Sequence, residues 1–71
     1  MIDKIKDIIC RFVDVEKDDI REDSALRADL GLNSLDLISV ATEIENDFGV
    51  LISEKKVLTL KTVSDLVDCV Q

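Results

Sequence analysis

The stretch Leu30-Gly31-Leu32-Asn33-Ser34-Leu35-Asp36-Leu37 sets a serine at the start of an apolar-periodic helix, directly after a glycine turn. A hydroxyl there has two uses: it can simply begin the helix, or it can be an exposed alcohol presented for covalent modification. Unpaired backbone N–H groups and the partial positive charge of a helix start favour an attached phosphate at this position. They do not make the serine a strong nucleophile. The chain has no histidine, so a Ser-His-Asp arrangement is impossible, and no lysine lies near enough in sequence to suggest a Ser-Lys pair. Ser34 therefore reads as an acceptor acted on by another enzyme, not as a catalytic residue.

The remaining chemistry-bearing residues form no competing site. Cys10 and Cys69 stand near opposite ends of the chain without partners at zinc-ligand spacing. With no signal peptide evident, they read as reduced thiols of a cytoplasmic protein. Asp14, Glu16, Asp18, Asp19, Glu22 and Asp23 crowd one segment and bring a calcium loop to mind. With Asp14 first, Asp19 stands where such a loop needs glycine and Ala25 where it needs a closing glutamate. A solvated acidic loop with weak, nonspecific cation attraction is the better reading.

Size and charge narrow the function further. Seventy-one residues make one domain, over 1–71, with a modest core and little room to enclose a substrate pocket. The longest apolar runs, such as Ile8-Ile9-Cys10 and Val50-Leu51-Ile52, are three residues, too short for membrane insertion. A formal net charge of −7 repels nucleic acid and anionic lipid, and favours encounter with basic protein surfaces.

The elements that must position Ser34 read as all-α. Ile2, Ile5, Ile8, Ile9, Phe12 and Val13 recur at three- and four-residue steps, predicting a first amphipathic helix over residues 2–14. Residues 14–33 form a long connection, pinned by Leu26 and Leu30, with Ser24 placed to cap a brief helical turn between them. Asn33 is a good N-cap for the second helix, with Asp36 three residues on. That puts Ser34 at the first helical position. The helix runs to Phe48, stops at Gly49, and leaves Val50 to fold back on Ile44. Residues 51–60 read as a linker with one helical turn, anchored by Ile52, Val57 and Leu60. Thr62 and Asp65 open a last helix lined by Val63, Leu66, Val67 and Val70. The expectation is a small antiparallel four-helix bundle, three main helices plus one short, without strands.

At 100° per residue, Leu37, Val40, Ala41, Ile44 and Phe48 form one apolar stripe, the core side of the second helix. Ser34, Ile38, Thr42 and Glu45 share another. Ile38 one turn below the serine, with Leu35 close by and carboxylates flanking, suggests a docking surface.

The pattern resembles the acyl carrier protein family. The likeness rests on Asp29-Leu30-Gly31-Leu32-Asn33-Ser34-Leu35-Asp36, on Glu43-Ile44-Glu45 and Phe48-Gly49-Val50, and on Thr62-Val63, and it covers essentially the whole chain in register. It implies a four-helix bundle whose serine, Ser34, is esterified with 4′-phosphopantetheine by a separate phosphopantetheinyl transferase drawing on coenzyme A. The terminal thiol then carries acyl intermediates as thioesters. By the same resemblance, Asn33, Leu35, Asp36, Ile38, Thr42, Glu45 and Asp47 face partners. Leu37, Val40, Ala41, Ile44, Phe48 and Leu60 line the core and any cavity sheltering the acyl chain. The implied partners are acyl-transferring, ligase or synthase enzymes with basic docking surfaces, met by a monomeric carrier.

Departures from the family pattern bear on the pathway. Asn33 stands where most acyl carriers have aspartate, Ser39 and Asn46 where fatty-acid carriers usually have acids, and Thr42 where a larger apolar contact is usual. Lys55 and Lys56 lie in a normally acidic region, and Ser53 replaces a common proline. The partner face is thus less acidic than that of a generic fatty-acid carrier, implying a dedicated partner set. Leu32 replaces the second glycine of aminoacyl carriers, favouring acyl cargo. Fatty-acid, polyketide and specialised lipid or cell-envelope pathways stay open, as does D-alanine transfer. The competing reading is an acidic helical protein-interaction module without a prosthetic group, in which Ser34 merely begins a helix. An enzyme reading ranks third, since the chain lacks a base, a metal constellation and the size for a pocket.

Overall fold

A computed structural model of the chain describes residues 2–70. Among these residues there are four α-helices and no strand: α1 Ile2–Cys10, α2 Ser34–Phe48, α3 Glu54–Val57 and α4 Val63–Cys69. Helix α1 packs on α2 and α4, and α2 packs on α3. The core between them is aliphatic: Ile5, Ile8 and Ile9 of α1, Leu37, Val40, Ala41 and Ile44 of α2, Val57 of α3, and Val63 and Leu66 of α4 are all buried. Each large side chain of this kind contributes about 1.5–3 kcal/mol by leaving water. No helix among the described residues is long and apolar enough to cross a membrane.

Helix α2 forms where the sequence marks it. The Asn33 side chain accepts the Asp36 amide at 2.8 Å, while the Asp36 carboxylate reaches back to the Asn33 amide at a longer 3.4 Å. Two of the donors orphaned at a helix start are thereby satisfied. At the other end Gly49 takes φ 68°, in the left-handed region, and its amide closes the last turn on the Glu45 carbonyl at 2.9 Å. Val50 is half-buried against the core beyond it. Helix α3 is the single turn expected, with Ser53 accepting the Lys56 amide at 3.1 Å. Thr62 and Asp65 form the capping box of α4.

Helix α1 is shorter than the periodicity predicts. It ends at Cys10, not residue 14, because its last turn tightens: the Arg11 and Phe12 amides bond the Ile8 and Ile9 carbonyls, three residues back, at 3.1 and 3.0 Å. No glycine or capping side chain ends this helix, and the tightened turn still leaves Phe12 and Val13 packed on the core. Periodicity reports the packing there, not the helix. An ion pair of 3.1 Å between Lys17 and Asp7 ties the departing chain back to α1.

The connection from residue 14 to 33 carries structure of its own. A 3₁₀ turn spans Lys17–Asp19, and Ile20, Leu26, Leu30 and Leu32 are all buried. The turn around residues 26–30 is capped differently from the expectation. Ser24 is itself buried, and its hydroxyl accepts the Arg21 amide upstream at 2.9 Å. Asp29 closes the turn instead, its carboxylate accepting the Ala25 amide at 2.8 Å. Ala25 and Thr62 form an isolated antiparallel bridge. The Leu26 amide donates to the Lys61 carbonyl at 2.8 Å, and the Val63 and Ser64 amides donate to the carbonyls of Ser24 and Glu22 at 3.1 and 2.8 Å. The connection thus satisfies the first orphan N–H groups of α4 while α4 holds the connection in place.

Candidate functional site

Ser34 is the first residue of α2, half-exposed, with its backbone direction set by two upstream features. Gly31 adopts φ 76°, a conformation that a side chain would strain, and it turns the chain out of the 26–30 segment. Asn33 is extended at φ −94°, ψ −178°, the usual N-cap geometry. Buried Leu30 and Leu32 on either side of Gly31 fix this turn to the core.

The Ser34 hydroxyl has one side-chain partner. Arg27 Nη2 donates to Ser34 Oγ at 2.8 Å. Arg27 belongs to neither of the ion pairs found among the described residues, Arg11–Glu43 and Lys17–Asp7. The amides of Ser34 and Leu35 precede the first intrahelical bond of α2, that of Leu37 to the Asn33 carbonyl. A guanidinium and free helix-start amides around one oxygen suit an anionic substituent. Arginine cannot accept a proton, and among the described residues no other side chain is bonded to this hydroxyl, so the serine needs a base from elsewhere to react.

The other residues expected at the partner face divide into two groups. Asn33 and Asp47 are exposed, and Leu35 is 76% exposed beside the serine, an apolar side chain held in water. Asn33 also serves as the N-cap of α2, Thr42 is exposed but spends its hydroxyl within the helix, and the others are half-buried. Asp36 is half-buried in the capping box. Ile38 is half-buried and packs on the core. Thr42 donates its hydroxyl to the Ile38 carbonyl at 2.9 Å, bonding back along its own helix. Glu45 is half-buried and accepts the Ile52 amide at 2.7 Å. The surface that is both open and next to Ser34 is therefore smaller than the helical stripe implies.

Of the residues expected to line the interior, Leu37, Val40, Ala41 and Ile44 form solid core. Leu60 is buried and borders a cleft of about 180 Å³ with Lys56, Thr59, Asp65, Asp68 and Cys69. Phe48 departs from the expectation: it is half-buried, and its ring lies 5.5 Å from Lys4 Nζ. It lies at the last turn of α2, where the stripe reaches the end of the bundle, and the lysine covers its outer face. Burial pushes the Cys69 thiol above its ordinary pKa, against the pull of nearby Lys56.

Arg27 is the site residue that sequence reasoning missed. Its signal was present: it is one of three arginines in an acidic chain, seven residues before the serine. Seven residues is two turns of a single helix, but Gly31 interrupts the chain between them, and only the turn at 26–30 brings the two side chains together.

Comparison with known proteins agrees with this geometry. A family model described as "Phosphopantetheine attachment site" matches residues 3–70. A protein of Mycobacterium tuberculosis assigned as an acyl carrier protein superposes with a TM-score of 0.86 at 31% identity, covering 99% of this chain and 95% of that one. The acyl carrier protein of Enterococcus faecalis superposes with a TM-score of 0.79 at 28% identity, covering 94% and 85% respectively. Proteins of this family carry covalently attached 4′-phosphopantetheine and are not themselves catalytic. An all-helical fold that presents a serine with no base of its own, matched along almost its whole length, places this chain in the phosphopantetheine-attachment family of acyl carrier proteins.

Proposed function

We propose that Ser34 is the residue that carries 4′-phosphopantetheine, and that the chain shuttles acyl intermediates as thioesters in fatty acid, polyketide or specialised lipid biosynthesis. The observation that carries this reading is the half-exposed Ser34 hydroxyl at the mouth of a fifteen-residue helix, beside an exposed leucine. In the loading step Ser34 Oγ forms a bond to the phosphorus bearing the pantetheine unit of coenzyme A. The pyrophosphate bond breaks, the nucleotide leaves, and the hydroxyl proton passes to a base of the transferase. The group, once bound, supplies a thiol on a flexible arm. Ser34 anchors that arm, and the residues around it orient the anchor.

Leu35 and Asp47 are the open contacts for a partner, and Asn33 borders the attachment point without adding charge to it. Partners with basic docking surfaces fit the net charge of −7. The chain works as a single carrier unit over residues 1–71, as a monomer in the cytoplasm. Lys55 and Lys56 on α3, which packs on α2, are exposed, which makes the surface beside α2 less acidic and supports a dedicated partner set.

Intact mass after incubation with coenzyme A and a phosphopantetheinyl transferase tests the reading. One phosphopantetheinyl increment on the native chain, and none on Ser34→Ala, is the expected result. An increment that survives Ser34→Ala overturns the assignment of the residue.

A further inference from the structure

Arg27 approaches Ser34 from outside α2, and three features fix its approach. Leu26 is buried, and its amide is bonded to the Lys61 carbonyl at 2.8 Å. The Arg27 carbonyl accepts the Gly31 amide at 3.1 Å. Arg27 Nη2 then meets Ser34 Oγ at 2.8 Å. The backbone under the guanidinium is therefore held at both ends of the turn, and no carboxylate among the ion pairs of the described residues competes for it.

A neutral hydroxyl is a modest partner for a guanidinium. A serine oxygen has two lone pairs and one hydrogen, so the arginine occupies one lone pair and leaves the hydrogen free to be removed. Esterification changes the partner. Oγ becomes a bridging ester oxygen, a poor acceptor, while the non-bridging phosphate oxygens two bonds away carry the negative charge. A planar guanidinium matches such oxygens through parallel N–H donors, and these charge-assisted bonds are stronger than the one to the hydroxyl.

We infer that Arg27 is a positioning residue for the prosthetic arm: it holds the hydroxyl before modification and grips the phosphodiester afterwards, fixing the root of the arm. The inference rests on Ser34 being the attachment residue. It makes the first atoms of the arm ordered and leaves its outer, thiol-bearing part mobile. It also balances the one charge that modification adds, in a chain already strongly acidic.

The test compares native chain, Arg27→Gln and Arg27→Lys, each loaded and unloaded. Phosphorus NMR reads the chemical shift and relaxation of the phosphodiester, and nitrogen NMR reads the Arg27 Nε–H group in the native chain. The Arg27 resonance is expected to move on loading. The phosphorus signal is expected to be displaced and to relax as a rigid group in the native chain, to approach that of a free phosphodiester in Arg27→Gln, and to fall between the two in Arg27→Lys. High salt should move the native signal toward that of Arg27→Gln. Thermal unfolding of the unloaded variants reads the fold separately, and a merely structural arginine would move that curve without moving the phosphorus signal. Phosphorus spectra identical in native chain and Arg27→Gln, with the native Arg27 resonance unmoved on loading, would overturn the inference. A native chain that takes up no phosphopantetheinyl mass would instead overturn the Ser34 assignment.

Discussion

The carboxylate of Glu45 accepts the Ile52 amide at 2.7 Å, so an acid on the polar face of α2 clasps the segment that follows Gly49. This gives Glu45 a part in folding that its place on the serine stripe does not suggest. Glu45→Ala should cost about 1.5–3 kcal/mol, the range for a hydrogen bond to a charged group, and Glu45→Gln, which keeps an acceptor, should cost less. Urea unfolding of the unloaded protein measures both.

Electrostatic steering is better tested at Asp47, which is exposed and whose carboxylate makes no hydrogen bond or ion pair among the described residues. Asp47→Lys should leave stability within about 0.5 kcal/mol and slow association with a basic-surfaced partner more than it speeds dissociation. Stopped-flow association rates at low and high salt read the effect, which should shrink as salt rises. An on-rate indifferent to both charge and salt would remove steering from the account.

Leu35 separates docking from stability in the same way. At 76% exposure it has little to lose on truncation, so Leu35→Ala should shift the unfolding midpoint only slightly. The initial rate of phosphopantetheinylation, followed by mass, should fall because an apolar contact beside the reacting oxygen is gone. Unchanged kcat/KM would show that the transferase does not use this side chain.

Burial ranks the core substitutions. Ile44 is fully buried, and Ile44→Ala should cost about 2–5 kcal/mol, enough to unfold much of so small a domain. Phe48 is half-buried beneath Lys4, and Phe48→Ala should fall below the 3–5 kcal/mol typical of buried phenylalanine. The order of the two denaturation midpoints is the measurement, and Phe48→Ala proving the worse would contradict the packing.

Asp65 links the last helix to pH. Backbone amides of Lys61 and Thr62, at 2.8 and 3.1 Å, hold its carboxyl below the usual carboxylate range. The folded pKa thus lies under the unfolded one, and folding favours the ionised form. Its contribution is complete above the unfolded value of about 3.9 and is lost as pH falls through the folded value. Asp65→Asn should therefore lower stability at neutral pH and flatten the acid limb of the stability curve. Thr62→Ala should cost about 1 kcal/mol with little pH dependence of its own. Urea midpoints between neutral pH and pH 3 separate the two.

What could be read in the chain follows the range of the forces involved. Helix α2 and the start of α4 were legible because capping boxes and a glycine stop act within a few residues: Asn33 with Asp36, Thr62 with Asp65, and Gly49. The end of α1 was not, since Phe12 and Val13 keep the apolar spacing through the tightened turn that follows the helix. Ser24 misled for a related reason. A serine is a good cap in either direction, and tertiary burial decided that its oxygen would serve Arg21. Ser34 itself was placed correctly at the first helical position, but its arginine partner was hidden, because no local rule relates residues seven apart across a turn. The place of Phe48 beneath Lys4 depends on a segment distant in sequence, and the hold of Glu45 on Ile52 on how the chain folds back after Gly49, so both were likewise invisible.

The short bridge between Ala25 and Thr62 reaches further than its two residues. It makes the long loop before α2 a braced arch rather than slack rope, with the carboxy-terminal helix as its abutment. The orientation of the hydroxyl at Ser34, and of the guanidinium beside it, is consequently underwritten by residues 61–64, near the far end of the chain. Loosening that abutment would unmoor Arg27 and change how an incoming enzyme meets the serine, although no atom of α2 had been touched.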